Sequence, residues 1–535
     1  ARDLNGLSQR EGVTETRGGW DAAVIGAGVN GLTAAAYLAR AGKRVLVLEK
    51  RPVAGGSAVT EEIFPGFKVS TVTHRAYVPG AIVRELGLET HGLEIYRPDA
   101  LLTAPLAGGG GLTLWRDPEK TRAALSRHSP RDAERYTAFD ALVRDLAGFL
   151  APLVSAPAIV PDGGAADLFS FLKLGLKFRS LGARTMHEAL RVLPMASADW
   201  LNEWFETDAL KAMLASRGVA GTFVAPRSPG TAALFLLHEV GRSEAGFPRG
   251  GMGALSSVLE TAARGFGAEI RTSVPVRRVT LENGRAAGVV LENGQEISAR
   301  VVLSNADPRS TLTRLVDPGA LPPELLSRVL HIRFRGAVAK VNLALDALPE
   351  FRGVPPEELS GAVHIGPTLD GMERAFDEAK YGRFSTRPVL EVVIPSLFDP
   401  TLAPSGKHVA SILAQFVPYR LRDGGPEARS ALGDAVVETL AEYAPGIQNA
   451  ILHREVLTPW DLEEKFGLPE GNLLHGEQTL DQLFFMRPMP GWARYSTPIP
   501  GLYLCGAGTH PGGSVTGGSG RNAAHQVARD LTRGA

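Results

Sequence analysis

Asp21–Glu49, DAAVIGAGVNGLTAAAYLARAGKRVLVLE, leaves this chain few ways to fold. A short apolar strand, Ala22–Ile25, runs into Gly26-Ala27-Gly28-Val29-Asn30-Gly31. A helix follows, apolar at Leu32, Ala35, Ala36, Leu38 and Ala39, and a second strand, Arg44–Leu48, ends on Glu49. This is a βαβ unit of about thirty residues with an acid closing its second strand. Gly26 allows the tight turn, Gly28 leaves room for a pyrophosphate, and Gly31 lets the helix pack close to the strand. The helix N-terminus offers unpaired N–H groups and its positive dipole end to the phosphates. Glu49 can accept hydrogen bonds from both ribose hydroxyls, and its charge disfavours a 2′-phosphate. Asn30 lies in the same turn. The stretch predicts dinucleotide binding.

The chain continues Lys50-Arg51-Pro52-Val53-Ala54-Gly55-Gly56-Ser57. A Gly-Gly pair just past the ribose acid lets a loop run tightly under a cofactor, which puts Lys50, Gly55, Gly56 and Ser57 beside it. The pattern resembles the extended fingerprint of two-dinucleotide-binding-domain flavoproteins, which bind FAD. Those proteins often carry Arg directly after the pair, where this chain has Ser57. An ordinary NAD-binding dehydrogenase is the alternative at this point.

With 535 residues the chain exceeds one ordinary core, so at least two domains are expected. Fifty-seven basic residues balance fifty-seven acidic ones, so no global field favours nucleic acid. The single cysteine, Cys505, excludes an intrachain disulfide, a dithiol redox pair and cysteine-rich metal sites, and no metal is expected. No run of eighteen apolar residues suggests a membrane span. Residues 1–20 mix Arg2, Arg10 and Arg17 with Asp3, Glu11 and Glu15, which reads as a flexible leader rather than a transit peptide. A cytoplasmic location is expected, with the mitochondrial matrix as the alternative if the source is eukaryotic.

Glu62–Ser70 reads as a hairpin leading to Thr73-His74-Arg75-Ala76-Tyr77, and residues 118–215 are mostly helical, broken at Pro157–Gly164. Ala166–Arg184 is amphipathic: Leu168, Phe169, Leu172, Leu176 and Phe178 alternate with Lys173, Lys177 and Arg179. A packed helix with solvated lysines is the commoner explanation, and peripheral membrane contact through 166–184 is the other. Gly250–Leu255 caps a helix to about Arg264, and strands over 269–272, 276–281, 287–291 and 296–304 follow, with hairpin turns at Asn283-Gly284 and Asn293-Gly294. Strands near 335–346, 362–366, 388–394 and 408–416 suggest a second, largely antiparallel sheet, and Glu427–Tyr443 is a helix.

Gly501–Gly513, GLYLCGAGTHPGG, is another apolar strand running into a Gly-rich turn, and Gly517, Gly518 and Gly520 lead to a helix over Arg521–Leu531. Its N–H groups can face a carbonyl-rich ring or a phosphate. YLCGAGTHPGGSVTGGSGRNAA resembles the terminal FAD motif of the phytoene desaturase-like flavoproteins. Gly471–Gly476, Leu480–Phe485 with Arg487-Pro488, Leu201–Phe205 and Pro248–Gly253 fit the same group. The likeness covers about residues 18–533.

The resemblance implies an α/β fold: a Rossmann-type FAD-binding domain with a mixed-sheet plus helical substrate domain. Residues 21–100, 241–310 and 486–535 would build the first, and 101–240 and 311–485 the second. It implies FAD at the N-terminal glycines and Glu49, Val276 against the adenine, and Gly506, Ala507, Gly508, Gly513, Ser514 and Val515 along the ribityl chain and ring. It implies a redox enzyme for an apolar, polyene or isoprenoid substrate, with hydride passing to the flavin. Relatives desaturate, saturate, isomerise or ketolate polyenes, so the direction stays open. The chain has no second GxGxxG unit with a ribose acid, so oxygen or a quinone is the expected electron acceptor rather than NAD(P).

Three residues are candidates for chemistry. His510 sits in the flavin turn as a proton donor or acceptor, or as a structural histidine. Lys340 interrupts an apolar strand and resembles the strand lysine of amine-oxidase flavoproteins, or is a plain edge lysine. His74, with Tyr77, follows the hairpin such folds place near the ring. His475 and Asp481 are weaker and could tie down a loop. Cys505 is expected to be a small buried residue. Phe171, Trp204, Phe205, Phe484, Phe485 and Trp492 would suit a hydrocarbon tunnel or ordinary core. An amine oxidase and a protein with a purely structural FAD are the rival readings.

Overall fold

Two seven-stranded sheets divide the work of the chain. The computed structural model describes residues 19–161, 163–242, 244–422 and 424–533, and the expected leader lies almost wholly outside them. The first sheet contains β1 (Trp20–Ile25), β2 (Val45–Leu48), β3 (Glu269–Arg271), β4 (Val276–Glu282), β5 (Arg285–Leu291), β6 (Glu296–Ser304) and β7 (Leu502–Leu504). Their order is β4-β5-β6-β1-β2-β3, and β7 pairs with the far end of β6. β6, β1, β2, β3 and β7 run parallel, whereas β4, β5 and the start of β6 form an antiparallel meander.

The apolar runs Ala22–Ile25 of β1 and Val45–Leu48 of β2 follow from burial on both faces, the condition of an inner parallel strand. Helix α1 (Val29–Arg40) is buried along nearly its whole length, because its alanines let it lie between the sheet and the C-terminal helix. The register aligns Ile25 with Leu48 and Ser304, and Ser304 with Leu504. Carboxyl ends from both halves of the chain therefore meet at one edge, where open α/β sheets bind ligands. The Asn283-Gly284 turn has positive φ at both residues (50° and 76°), as a two-residue hairpin of this hand requires.

The second sheet runs Ile451–Leu457, Val338–Leu345, His408–Gln415, Val389–Val393, Ala362–Ile365, Ala100–Pro105, Gly111–Trp115. All pairs are antiparallel except Ala362–Ile365 with Ala100–Pro105. Three of its strands, Ile451–Leu457, Ala100–Pro105 and Gly111–Trp115, were not expected from the sequence. Strand alternation splits Val338–Leu345 cleanly: Ala339, Val341, Leu343 and Leu345 join a core with Leu432, Val436 and Leu440 of the Pro426–Tyr443 helix. Each valine and leucine among them contributes about 1.5–3 kcal/mol on burial. Lys340 and Asn342 face the other way, toward the loop after the Thr60–Phe64/Phe67–Ser70 hairpin.

Helices α2 (Pro130–Ser155), α3 (Ala165–Ser180) and α4 (Gly182–Val192) belong to a helical layer over this sheet, whose core centres on Phe139, Trp200, Phe205 and Phe235. The amphipathic stretch 166–184 is not one helix. Gly182 has φ +78°, which ends α3 and re-aims the chain. Helix α5 (Met252–Gly265) packs on α1, as does α6 (Gly518–Arg533).

Candidate active site

A cavity of about 1070 Å³ runs along the carboxyl ends of β1, β2, β6 and β7 and on beneath the second sheet. At one end the buried Glu49 carboxylate accepts N–H bonds from Ala27 (2.8 Å) and Arg51 (2.9 Å). Glu49, Lys50, Val276 and Glu292 line this end. Arg51 donates to the Gly56 carbonyl (2.7 Å), pairs with Glu61 and lies 4.9 Å from the Phe466 ring. It clamps the Gly-Gly loop from in front, where Ser57 cannot. The Gly55 N–H bonds the Ala27 carbonyl, which brings Gly55, Gly56 and Ser57 to the cavity wall.

Next come Gly26, Gly28 and Asn30 at the N-terminus of α1, which has no side-chain cap and no acid in its first turn. Its positive end is thus left for a ligand. Gly28 does more than clear a path: a Cβ there would lie 2.5 Å from the Asn305 amide nitrogen. Gly31 does not reach the cavity; a Cβ there would strike the Gly26 carbonyl. α6 crosses α1 so closely that a Cβ on Gly520 would collide with the Asn30 carbonyl, and the Gly520 N–H bonds the Asn30 side chain at 3.3 Å. A second helix start, with Gly518, Arg521 and Asn522, thereby reaches the same cavity.

In the turn after β7, Ala507, Gly513, Ser514 and Val515 line the cavity, and Gly506 and Gly508 do not. Those two instead allow backbone contact: a Cβ on Gly506 would lie 2.6 Å from the Asn305 carbonyl, and one on Gly508 would meet Pro308. Beneath the turn, the buried guanidinium of Arg487 donates to the carbonyls of Ala507 (2.8 Å), Leu474 (2.7 Å) and Glu477 (3.1 Å). Burial lowers its pKa to about 10.

His510 is fully buried away from the cavity. Its Nε2 bonds the Ala156 carbonyl at 3.0 Å, its own carbonyl accepts from Tyr495 Oη at 3.0 Å, and burial pushes its pKa down to about 4. The geometry makes it a tie between the flavin turn and the α2–α3 connection. Cys505 is likewise buried, its thiol pushed up to about 12 by burial, so it is no nucleophile.

Opposite the turn stands a chain of ionisable groups. Lys340 Nζ, fully buried, donates to Ser411 Oγ and lies 3.3 Å from His74 Nδ1. His74 Nε2 lies 3.0 Å from Glu391 Oε1, and Arg75 Nη2 is 3.8 Å from the same oxygen. Glu391, His74, Arg75, Tyr77 and His238 line the cavity, whereas Lys340 sits one layer behind, covered by His74. Burial lowers Lys340 to about 7 against the pull of Glu391 and Glu455. Burial, then the Lys340 charge, lowers His74 to about 4. Burial pushes the Glu391 carboxyl up, but Arg75 and His74 outweigh it and hold it well below the usual range. The Tyr77 N–H bonds the Val515 carbonyl (3.0 Å) and so ties this loop to the flavin turn.

His475 lines the cavity with a buried Nδ1 that has no protein partner. Asp481 is exposed and pairs with Arg333 (2.7 Å), a loop anchor. Of the six tunnel candidates, only Phe484 lines the cavity. Trp204, Phe205 and Trp492 pack in or against cores, Phe171 faces solvent, and Phe485 is partly buried elsewhere. Asn305, Arg51, Glu391 and His238 were not expected. Asn305 and Glu391 follow or interrupt strands in SNAD and VLEVVI, patterns that show a polar residue at a strand end or in a strand but not what it faces.

This arrangement defines a flavoprotein class: the parallel strands of one sheet, whose carboxyl ends carry a ribose acid, two helix N-termini and a Gly-rich turn from the chain's far end. The residues fit FAD, since buried Nδ1 of His475 and buried Nδ2 of Asn522 both lack protein partners at the cavity. Residues 30–528 match the family model of flavin-containing amine oxidoreductases, so the chain belongs to that family and FAD is its cofactor. It is 39% identical to pyridine nucleotide-disulfide oxidoreductase domain-containing protein 2 of Rattus norvegicus, over 96% of this chain and 94% of the relative. It is 30% identical to one of the subunits of limonene dehydrogenase from Castellaniella defragrans, over 96% of this chain and 95% of that one. Phytoene desaturases of Cereibacter sphaeroides and Fusarium fujikuroi stand further off, at 26% and 25%. Putrescine oxidase bound to putrescine has the same fold, with a TM-score of 0.61 and 16% identity over 96% of this chain and 99% of that one. The protein is an FAD-dependent oxidoreductase of the amine oxidase type.

Proposed function

We propose that the enzyme dehydrogenates an apolar, isoprenoid-like substrate. The observation that carries this reading is the apolar share of the cavity wall, with Leu234, Leu237, Leu413, Leu473, Leu474 and Leu483. Such a wall favours hydrocarbon through the area it removes from water. The limonene dehydrogenase relative, named for a hydrocarbon substrate, supports it. FAD, when bound, supplies the two-electron acceptance.

The protein's part is to shape the apolar half and to take up a proton. Glu391 is ionised, with its side chain one-third exposed. His74 is neutral near pH 7, and with its proton on Nε2 it donates to Glu391 while Nδ1 accepts from Lys340. The Arg75 and His74 contacts that keep Glu391 ionised also make it a weak base, so a proton arriving there is passed on rather than stored. Amine oxidation is the second reading, supported by the family and by an anionic Glu391 that could face an ammonium. Against it, Glu391 is already flanked by Arg75 and His74.

Anaerobic titration of the flavin's visible absorbance separates the two. Bleaching by monoterpene or polyene, and none by primary amines, is expected, and in Glu391→Gln the bleaching rate should drop by about 10²-fold or more. Bleaching by amines alone would replace the hydrocarbon reading with the amine one.

A further inference from the structure

Helix α3 keeps its apolar face toward solvent. Leu168 is 72% exposed, Leu172 59% and Leu176 60%, with Phe169 and Phe171 between them. The opposite side holds the helix down. Phe178 packs on Phe149 of α2 at 5.2 Å, Lys177 Nζ donates to the Gly148 carbonyl, and buried Asp167 pairs with Arg494. A contiguous exposed apolar patch of this kind marks an interaction surface. Its charge is one-sided as well. Lys173, Arg179 and Arg184 are exposed, and the sole acid between residues 164 and 187, Asp167, is buried.

We infer that α3 docks the enzyme on an anionic lipid bilayer, its leucines and phenylalanines entering the headgroup boundary and its basic residues meeting lipid phosphates. The contact is interfacial, because no helix among the described residues is long and apolar enough to cross a membrane. Its place in the fold gives it a use. Just beyond Gly148 and Phe149, on which α3 rests, α2 contributes Ala151, Val154 and Ser155 to the cavity wall. The docking helix and one wall of the cavity thus share α2, an arrangement that would bring a bilayer-dissolved substrate to the site without crossing water. This delivery step rests on the apolar-substrate reading above; the docking does not.

The test is co-sedimentation of the full-length holoenzyme, without substrate, on vesicles of phosphatidylcholine alone and of phosphatidylcholine with phosphatidylglycerol. Binding to the anionic vesicles, weakened by salt, is expected. In the triple variant Leu168→Ser, Leu172→Ser, Leu176→Ser the bound fraction should fall about ten-fold or more, with flavin absorbance retained as proof of folding. Absence of parent binding to the anionic vesicles overturns the inference, as does a triple variant that binds like the parent. A parent that binds no vesicle but changes from dimer to monomer in the triple variant overturns it in favour of a second copy on this face. Because no substrate is present, a failed hydrocarbon reading leaves this result untouched.

Discussion

At Gly31 a single methyl group would meet the Gly26 carbonyl, part of the same tight turn, and neither backbone can yield. At Gly28 the obstacle is the Asn305 amide, the end of a side chain that can rotate. The two substitutions should therefore part company. Gly31→Ala should cost on the order of 2–4 kcal/mol and release FAD, and Gly28→Ala about 1 kcal/mol with weakened but measurable FAD binding. Denaturant midpoints and the flavin fluorescence of the filtrate report both. Equal losses would mean that Asn305 is as immobile as backbone. The spacing of Gly26, Gly28 and Gly31 was legible because a dinucleotide turn dictates it locally. Asn305 was not, since it reaches Gly28 only through the pairing of β1 with β6. His510 shows the converse. Its place in the motif was readable, but its ring turns to Ala156, a partner contributed by the helical layer.

Elements with strong local signals were readable and those defined by their partners were not. The β4–β5 hairpin carries its turn residues in plain sight, and α1 its alanine face. Ile451–Leu457 has mostly half-buried residues and no clean alternation, so it shows itself as a strand only against Val338–Leu345. It leads into Pro459–Phe466, a helix started by a capping box: Thr458 accepts from the Asp461 N–H and Asp461 from the Thr458 N–H. This helix carries Phe466 to the ribose end of the cavity, under Arg51. Thr458→Ala should lower stability by about 1 kcal/mol and leave the rate of flavin reduction unchanged. A urea midpoint and a stopped-flow trace check the two parts, and a slower reduction would show that the helix reaches the chemistry as well as the cofactor loop.

Across the whole molecule, segments distant in sequence bury one another's basic side chains, and this sets a pH dependence. His74, His364 and His510 are all held near 4, burial being the first cause in each, against an unfolded value of 6.5. Between those values the unfolded chain carries protons that the native chain refuses, so stability falls as pH drops from 6.5 toward 4. Lys340 obeys the same sign higher up: native about 7, unfolded 10.5, so stability rises with pH above 7. Each such group contributes a slope of up to about 1.4 kcal/mol per pH unit inside its window. From about pH 9 the raised thiol of Cys505, and later the Tyr136 phenol, reverse the trend, since the unfolded chain then loses protons the native one keeps. Urea midpoints of the holoenzyme should therefore climb from pH 4 to 6.5 and again from 7 to 9. Lys340→Met should flatten the second climb and leave the first in place, because it removes one buried ammonium and no histidine. A variant that still climbs between pH 7 and 9 as steeply as the parent would show that Lys340 stays charged in the folded enzyme. It would then be a fixed cation behind His74, donating to Nδ1 across the neutral range.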